Sequence, residues 1–304
     1  MNKLTVKLML FLLALSTTVS VAYCQNSSTT PSGSALYLFN NQAKNIPLRS
    51  LHDKKITSIN TGSAFSIVFD SLLRKYADVK SFETSYYRTD SLNLDNLTGD
   101  YLKYYNCLIV QVTSQSLTDP EIIRFIAENQ KRKNIIIAGF GELSSLKNLD
   151  FITGPVVWST NLDADAASNV AQIIFGGIAV KGTLGKTISQ KFKAGSGYST
   201  EKTRLRYSTP EAVGLKSADL DSIDIIAAEA IREKATPSAV VMVIKDGNVI
   251  FNKAYGSHTY DGAEKTKLTD LYDLASVTKV SATTLSAMKL FEQGKIALDN
   301  TVGD

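Results

Sequence analysis

The sequence contains few of the residues that build disulfides and metal sites. It has two cysteines, Cys24 and Cys107. Cys24 falls in an N-terminal leader, so the mature chain is predicted to keep one cysteine and to have no internal disulfide. The two histidines, His52 and His258, are far apart in the sequence and have no carboxylates at ligand spacing. We therefore expect no metal site, and the sequence predicts no other cofactor.

The excess of one charge sign is also small. The chain has 33 basic and 29 acidic residues and a formal charge of +4, and two of its lysines, Lys3 and Lys7, lie in the leader. Basic residues are not concentrated as in a nucleic-acid-binding protein, so no nucleic-acid partner is expected. The 304 residues are 44% hydrophobic and 20% charged, which is typical of a globular protein with one large or two ordinary domains.

The first 25 residues, MNKLTVKLMLFLLALSTTVSVAYCQ, have the pattern of a secretory signal peptide at 1–24. Two lysines precede an apolar run from Leu8 to Leu15, and cleavage is predicted before Gln25. The run is too short, and its far end too polar, for a good membrane span. An acylated Cys24 would make a lipoprotein, but Tyr23 occupies a position that normally needs a small residue. We expect an exported protein, periplasmic or at the cell surface, with no stable membrane span after cleavage.

Residues 25–34 are small and polar and predict a flexible linker, after which strands and helices alternate over 35–195. Continuous apolar runs predict buried strands, and apolar residues with helical spacing predict amphipathic helices. The predicted strands are 55–60, 107–112, 134–140 and 156–159, and the predicted helices are 64–77, 119–133 and 163–177. This order is typical of an α/β domain with a mainly parallel sheet, in which Cys107 would be a buried thiol.

A change of composition marks a second domain. Residues 196–209 predict an interdomain linker, and 210–304 predict an α+β domain. Its predicted elements are a helix at 217–235 with Ser217 as N-cap, a hairpin of 238–245 and 249–256 around the turn Asp246-Gly247-Asn248, and a buried helix that carries Ser276 and Lys279.

Ser276 and Lys279 are the candidate catalytic residues. The spacing S-x-x-K alone is weak evidence, because it occurs four times, starting at Ser144, Ser199, Ser276 and Ser286. Between Asp273 and Lys289, however, Lys279 is the only charged residue, which predicts that the first helical turns are buried. Desolvation favours a neutral lysine amine, which can act as the base for a serine on the same helical face. The alternative is a helix-capping serine beside a lysine that extends to solvent.

The stretch from about Tyr207 to Asp304 resembles the serine β-lactamase and penicillin-binding-protein superfamily, on its class C-like esterase branch. STPEAVGLKSADLDSID, ATPSAVVMVIKDGNVIFNKAYG and DLYDLASVTKVSATTLSAMKLFEQGKIALDNTV carry the resemblance, with Ser238 where the family usually has glycine. It implies an acylated nucleophile at Ser276 and its general base at Lys279. The expected function is acyl transfer on an amide or ester, either a peptidoglycan-derived peptide or a β-lactam-like compound.

The sequence departs from that family downstream of Lys279. The family has a Tyr-x-Asn motif and a Lys-Thr-Gly or His-x-Gly strand, and neither follows Lys279 here. The resemblance therefore implies an incomplete domain with little or no turnover. A non-catalytic carbohydrate- or wall-binding module, or a fragment of a larger glycosidase–β-lactamase fusion, is the alternative interpretation.

Residues 35–195 resemble the C-terminal α/β domain of family 3 glycoside hydrolases. The similar segments are ALYLFNNQAKNIPLRSL and ASNVAQIIFGGIAVKGTLGKTIS, with Gly185 where proline is usual. In that family a separate barrel carries the nucleophilic aspartate, and it would precede residue 35. No pair of carboxylates stands out for glycoside hydrolysis, so we expect no glycosidase activity from this chain.

Overall fold

The computed structural model describes residues 35–89, 91–301 and 303. The signal peptide and first linker predicted at 1–34 lie outside the described residues. The chain divides into two units, which meet between Tyr207 and Ser208. Within the described ranges, no helix is both long enough and apolar enough to cross a membrane.

The first unit is built on a six-stranded sheet. Its strands are β1 (Leu36–Phe39), β2 (Ile56–Asn60), β3 (Val79–Glu83), β4 (Cys107–Thr113), β5 (Asn134–Phe140) and β6 (Val156–Ser159). They lie in the order β1-β6-β5-β4-β2-β3, and all neighbours are parallel except β1, which is antiparallel to β6. The mainly parallel α/β sheet predicted from the sequence is confirmed.

The four predicted strands are the four central ones, and the two edge strands were missed. Central parallel strands are covered on both faces, so they appear as continuous apolar runs. The edge strand β3 has the sequence VKSFE, in which only Val79 is buried. The other edge strand, β1, is four residues long. Short or polar edges therefore carry little sequence signal.

Helices cover both faces of this sheet. They are α1 (Ser66–Arg74), α2 (Pro120–Gln130) and α3 (Ala164–Phe175). Side chains alternate along β4, so Cys107 and Ile109 pack in the core that contains α1 and α3, whereas Leu108 and Val110 pack in the core that contains α2. The prediction of Cys107 as a buried strand thiol is confirmed, since it is 2% exposed.

The helix ends follow the capping residues in the sequence. Asp119 accepts a hydrogen bond from the Glu121 N–H at 2.9 Å, with Pro120 at the first helical position. Asp163 accepts one from the Ala166 N–H at 2.7 Å. Gly176 ends α3 with a φ of 82°, where a side chain would be strained. These contacts fix the helices that cover the sheet.

The chain after α3 runs along the first unit without regular secondary structure as far as residue 205. Phe192 is buried in the core, the Tyr198 N–H donates to the Leu38 carbonyl at 2.8 Å, and the Thr200 N–H donates to the Val180 carbonyl at 2.9 Å. The segment predicted as a linker at 196–209 therefore begins as part of the first unit.

The second unit contains a helix, a hairpin and a final helix. These are α4 (Asp221–Arg232), β7 (Ser238–Lys245), β8 (Asn248–Gly256) and α5 (Thr284–Glu292), and a π-helical turn at Lys279–Thr283 leads directly into α5. The predicted hairpin is confirmed, but its turn has two residues and not three, because Asn248 already pairs with Lys245. Asp246 and Gly247 both have positive φ, at 50° and 70°, as a type I′ turn requires.

The prediction that Ser217 caps the first helix of this unit is wrong. Residues Ser217–Leu220 form a separate 3₁₀ turn, and α4 begins only at Asp221. The Ser217 hydroxyl donates instead to the Glu211 carboxylate at 2.7 Å. A serine hydroxyl can hydrogen-bond to other nearby acceptors as well as cap a helix. A serine before a run of apolar residues with helical spacing therefore does not determine where the helix begins.

Candidate active site

Ser276 lies in the turn that begins the final helical segment, and Lys279 lies one turn further on. The Lys279 Nζ is 3.0 Å from the Ser276 Oγ. The predicted pairing of these two side chains on one helical face is therefore present in the structure. A protonated lysine can only donate in this contact, whereas a neutral amine can accept the hydroxyl proton. The geometry suits a nucleophile and base whenever the amine is neutral.

The turn before Ser276 has an unusual backbone. Ala275 has a φ of 43°, in the left-handed region that residues with a side chain seldom adopt. The Asp273 carboxylate accepts a hydrogen bond from the Ala275 N–H at 3.0 Å, and the Val277 N–H bonds to the Leu274 carbonyl at 2.8 Å. The Ser276 N–H has no acceptor among the described residues. It is therefore available to a developing oxyanion.

The loop that approaches the turn is held by side chains that the sequence analysis did not select. The Tyr272 and Ser238 hydroxyls are 3.2 Å apart, which connects the loop to the start of β7. His258 lies between two carboxylates, 2.8 Å from Asp270 and 3.2 Å from Glu264. We call His258, Glu264 and Asp270 the histidine cluster. It fixes both ends of the loop 258–270.

The histidine cluster forms although no carboxylate lies at metal-ligand spacing from His258 in the sequence. Glu264 and Asp270 follow His258 by six and twelve residues. The loop between them brings both carboxylates to the imidazole ring, and no known motif spacing predicts these contacts. The hydrogen bond to Asp270 raises the pKa of His258. The Lys267 N–H, at 2.7 Å, and then His258 lower the pKa of Asp270. Among the described residues, no group of His, Cys, Asp and Glu is arranged to hold a metal ion.

A second polar contact joins α4 to the hairpin. Asp224 accepts hydrogen bonds from Lys253 at 2.7 Å and from the Tyr255 hydroxyl at 2.5 Å. These contacts lower the pKa of Asp224, while burial and the adjacent carboxylate raise the pKa of Tyr255 to about 12. Tyr255 is therefore a hydrogen-bond donor at neutral pH and not a base.

The predicted burial around the Ser276–Lys279 pair is wrong. Val277 is 54% exposed and Val280 67% exposed, and both Ser276 and Lys279 are exposed. No other part of the described second unit covers this helical segment. Apolar composition therefore predicted a packed helix, but the described residues leave this helix exposed.

The S-x-x-K spacing at Ser286 gives a different arrangement on the same helix. Lys289 lies 3.7 Å from the Glu292 carboxylate and not against Ser286. The position at the start of the helical segment, together with the turn formed by Ala275, therefore distinguishes Ser276 from Ser286. Ser286 provides an internal control for experiments on the pair.

One protein-family model matches the region that contains this site. The family model "Beta-lactamase" matches residues 223–304, which include Ser276 and Lys279. The chain is 32% identical over 130 residues to proteins named "Putative D-alanyl-D-alanine carboxypeptidase" from Salmonella enteritidis PT4 and Salmonella gallinarum. The match covers 40% of this chain and 30% of each relative, so the chain spans about a third of the length of these curated proteins.

A solved structure similar to this chain belongs to a fungal multi-domain GH3 β-N-acetylglucosaminidase with a GCN5-related glucosamine N-acetyltransferase region. The match covers 73% of this chain and 28% of that one, with 13% identity and a TM-score of 0.44. This score is too low to support an argument about fold or function. The resemblance of residues 35–195 to the glycoside hydrolase domain stays a prediction, although their α/β architecture is confirmed.

Proposed function

We propose, from the membership of residues 223–304 in the serine β-lactamase and penicillin-binding-protein superfamily, that this chain provides the nucleophile and base of an acyl-transfer hydrolase. Ser276 is the nucleophile and Lys279 its general base. The observation that carries this proposal is the 3.0 Å separation of the Lys279 Nζ and the Ser276 Oγ. Such a contact allows direct proton transfer between nucleophile and base.

The proposed reaction has two steps, acylation of Ser276 and hydrolysis of the acyl-enzyme. The Ser276 Oγ attacks the carbonyl carbon of an amide or ester while its proton passes to the neutral Lys279 amine. The carbonyl oxygen becomes negative and accepts a hydrogen bond from the Ser276 N–H. The lysine then gives its proton to the departing amine or alcohol, which leaves an ester on Ser276. Attack by water on this ester releases the acid and restores the serine.

The substrate we propose is a cell-wall peptide that ends in D-alanine, or a β-lactam that resembles one. The supporting observation is the name of the Salmonella relatives, which describes a D-alanyl-D-alanine carboxypeptidase. Ser276 and Lys279 are both exposed, so water is not excluded from the reacting groups, and we expect the 304-residue chain to acylate slowly. Burial of the pair by further protein or by substrate would favour the neutral amine.

An exported location fits this substrate, since peptidoglycan lies outside the cytoplasmic membrane. We propose that cleavage before Gln25 releases the protein to the periplasm or cell surface. Intact-mass measurement on protein from fractionated cells tests this point. A mature chain that begins at Gln25 in the periplasmic or surface fraction is expected, whereas an uncleaved cytoplasmic chain would contradict the proposal.

Covalent labelling tests the nucleophile. The full chain is incubated with a fluorescent penicillin and, separately, with a fluorophosphonate, and the modified residue is located by peptide mass spectrometry. We expect a single acyl or phosphonyl group on Ser276, complete loss of label in Ser276→Ala, and full labelling in the matched control Ser286→Ala. Labelling that survives Ser276→Ala, or an unlabelled wild-type chain, would contradict the assignment.

The same assay separates the base from the nucleophile. We expect Lys279→Gln to slow labelling by about 100-fold or more, because general-base catalysis contributes about 10²–10⁴-fold. The control Lys289→Gln removes an equal charge from the same helix, where Lys289 pairs with Glu292, and should label at the wild-type rate. Equal rates for the two variants would leave Lys279 without a catalytic role.

A further inference from the structure

We propose that a cavity in the first unit is a binding site for a small polyanion. The cavity has a volume of about 400 Å³ and lies beside the amino ends of β4 and β5. Its basic lining residues are Lys44, Arg49, Lys54 and Lys133, and we call it the basic cavity. It is independent of the Ser276 site and of the function proposed for it.

The charge of the lining is of one sign. No aspartate or glutamate lines the basic cavity, and the other polar lining side chains are amides and hydroxyls. None of its four cations forms an ion pair with a carboxylate among the described residues. Four uncompensated positive charges around one concave surface repel one another and attract an anion. A bound polyanion would relieve that repulsion.

One of these cations, Lys133, is already partly desolvated. Its Nζ donates to the Tyr105 carbonyl at 2.7 Å, and burial lowers the pKa of Lys133. On the floor of the cavity, Cys107 is 2% exposed. Burial raises the pKa of this thiol to about 11, against the opposing effect of the Lys54 charge. The thiol stays neutral, so the floor adds no negative charge to compete with a ligand.

One wall of the basic cavity is held rigidly by buried contacts. The buried Asn41 side chain donates to the Ile46 carbonyl at 2.7 Å and accepts from the Ile46 N–H at 2.9 Å. Further along, the Leu48 N–H donates to the Ile174 carbonyl of α3 at 2.9 Å. These contacts fix the loop that carries Lys44 and precedes Arg49. The backbone that carries these two cations is therefore ordered before any ligand arrives, which lowers the cost of binding.

The opposite wall is also fixed. The Gln130 side-chain oxygen accepts hydrogen bonds from the Thr153 N–H at 3.1 Å and from the Thr153 hydroxyl at 3.2 Å. A preformed cavity of this volume is in the range for a small-molecule site. With guanidinium and ammonium groups as the main donors, the fitting ligand class is a small molecule with two or more negative charges, either phosphate or carboxylate.

Calorimetric titration of the full chain with pyrophosphate and with citrate, at low ionic strength, tests the proposal. We expect a dissociation constant of about 1 mM or tighter for at least one probe, and weaker binding as salt screens the charges. Tighter binding of pyrophosphate would assign phosphate groups to the natural ligand, and tighter binding of citrate would assign carboxylates. Absence of binding for both probes would overturn the proposal.

A matched pair of variants separates a site from general charge attraction. Lys44→Gln/Arg49→Gln removes two exposed cations of the cavity, and Lys80→Gln/Lys181→Gln removes two exposed cations elsewhere on the same unit. We expect at least about tenfold weaker binding for the first pair, since it removes charged hydrogen bonds to the ligand. The control should stay within about twofold. Equal loss in both, with unchanged circular dichroism, would overturn the site.

Discussion

The two units differ in how their apolar residues are used. In the first, both faces of the sheet are covered, and side chains such as Phe69, Phe140 and Trp158 are fully buried. In the described part of the second, the buried apolar residues are Pro210, Ala227, Val249 and Ile250. The unit with the closed core has no candidate catalytic residue, and the unit with the Ser–Lys pair exposes its apolar helix. Local spacing therefore brought the pair together without a core around it.

The difference separates two kinds of information in a sequence. A spacing of three residues on a helix determines a contact as soon as the helix forms. Burial of that contact depends on other elements, which the local sequence does not specify. The 3.0 Å contact of Ser276 and Lys279 belongs to the first kind, and the environment of Lys279 belongs to the second.

The largest expected contrast comes from one substitution made in each unit. Phe69 is fully buried and Phe291 is 50% exposed. We expect Phe69→Ala to lower the free energy of unfolding of the first unit by about 3–5 kcal/mol, because it leaves a cavity in a closed core. Phe291→Ala should change the stability of the second unit by about 0.5 kcal/mol or less, as for other surface positions.

Urea denaturation followed with two probes checks this contrast. Trp158 is the only tryptophan in the sequence and is buried in the first unit, so its fluorescence reports that unit alone, while circular dichroism reports both. Phe69→Ala should shift the fluorescence transition and Phe291→Ala should not. A loss of several kcal/mol for Phe291→Ala would mean that α5 is buried in solution.

A smaller loss is expected where a glycine of the first unit lies directly against a buried aromatic ring. A Cβ added at Gly139 of β5 would meet the Trp158 ring, with the nearest ring atom at 2.0 Å. We expect Gly139→Ala to cost about 1–3 kcal/mol, because the ring must move within a filled core. A shifted fluorescence maximum together with a lower urea midpoint checks this. The control Gly99→Ala adds a methyl group where nothing lies within 4 Å and should leave the fluorescence maximum unchanged.

The parts of this fold that were predictable are those that adjacent residues determine. Asp119 and Asp163 cap helices by bonding to N–H groups two and three residues ahead, and Asp246-Gly247 forms the hairpin turn because both residues tolerate positive φ. The central strands β4, β5 and β6 were found because burial on both faces makes most of their residues apolar. The contact between Ser276 and Lys279 was predictable from their helical spacing, and their catalytic roles stay a prediction.

The parts that were missed depend on residues distant in sequence. The edge strand β3 pairs with a neighbour on one side only, and most of its residues are not buried. Its sequence is therefore partly polar and lacks the apolar run that predicts a strand. His258 meets Asp270 through a loop whose course no local pattern predicts. The exposure of Val280 contradicted a prediction made from composition, because composition reports what a helix could bury and not what covers it.

The turn before Ser276 offers a test of how the second unit positions its chemistry. Ala275 has a φ of 43°, which costs a residue with a side chain about 1–2 kcal/mol. Ala275→Gly should retain labelling of Ser276 and change stability by about 1 kcal/mol or less, since relief of strain is offset by backbone entropy. Ala275→Val puts a β-branched side chain in the same conformation, and we expect slower labelling.

The labelling assay on both variants, with circular dichroism as the control for folding, decides the role of this turn. A rate order of Gly at or above Ala and both above Val supports a positioning role for the left-handed residue. Unchanged labelling in a folded Ala275→Val chain would show that Ser276 does not depend on it.

The smallest expected effect concerns pH and the loop of the second unit. Hydrogen bonding to Asp270 raises the pKa of His258 above its ordinary value of 6.5. The charged ring therefore stabilises the loop fully below pH 6.5, and this contribution is lost as pH rises through the raised pKa of the folded state. The first unit has no such three-residue cluster among its described residues, so its central strands serve as the reference over the same pH window.

Proton NMR titration of His258, assigned with His258→Gln, gives the pKa directly, and Asp270→Asn should lower it. Hydrogen-exchange protection factors, corrected for the intrinsic effect of pH, should fall for residues 258–270 between about pH 6 and pH 9 and stay constant for β4 and β5. A His258 pKa at or below 6.5 would show that the cluster does not form in solution. The loop before Ser276 would then be held by Tyr272 and Asp273, whose contacts do not depend on the histidine charge.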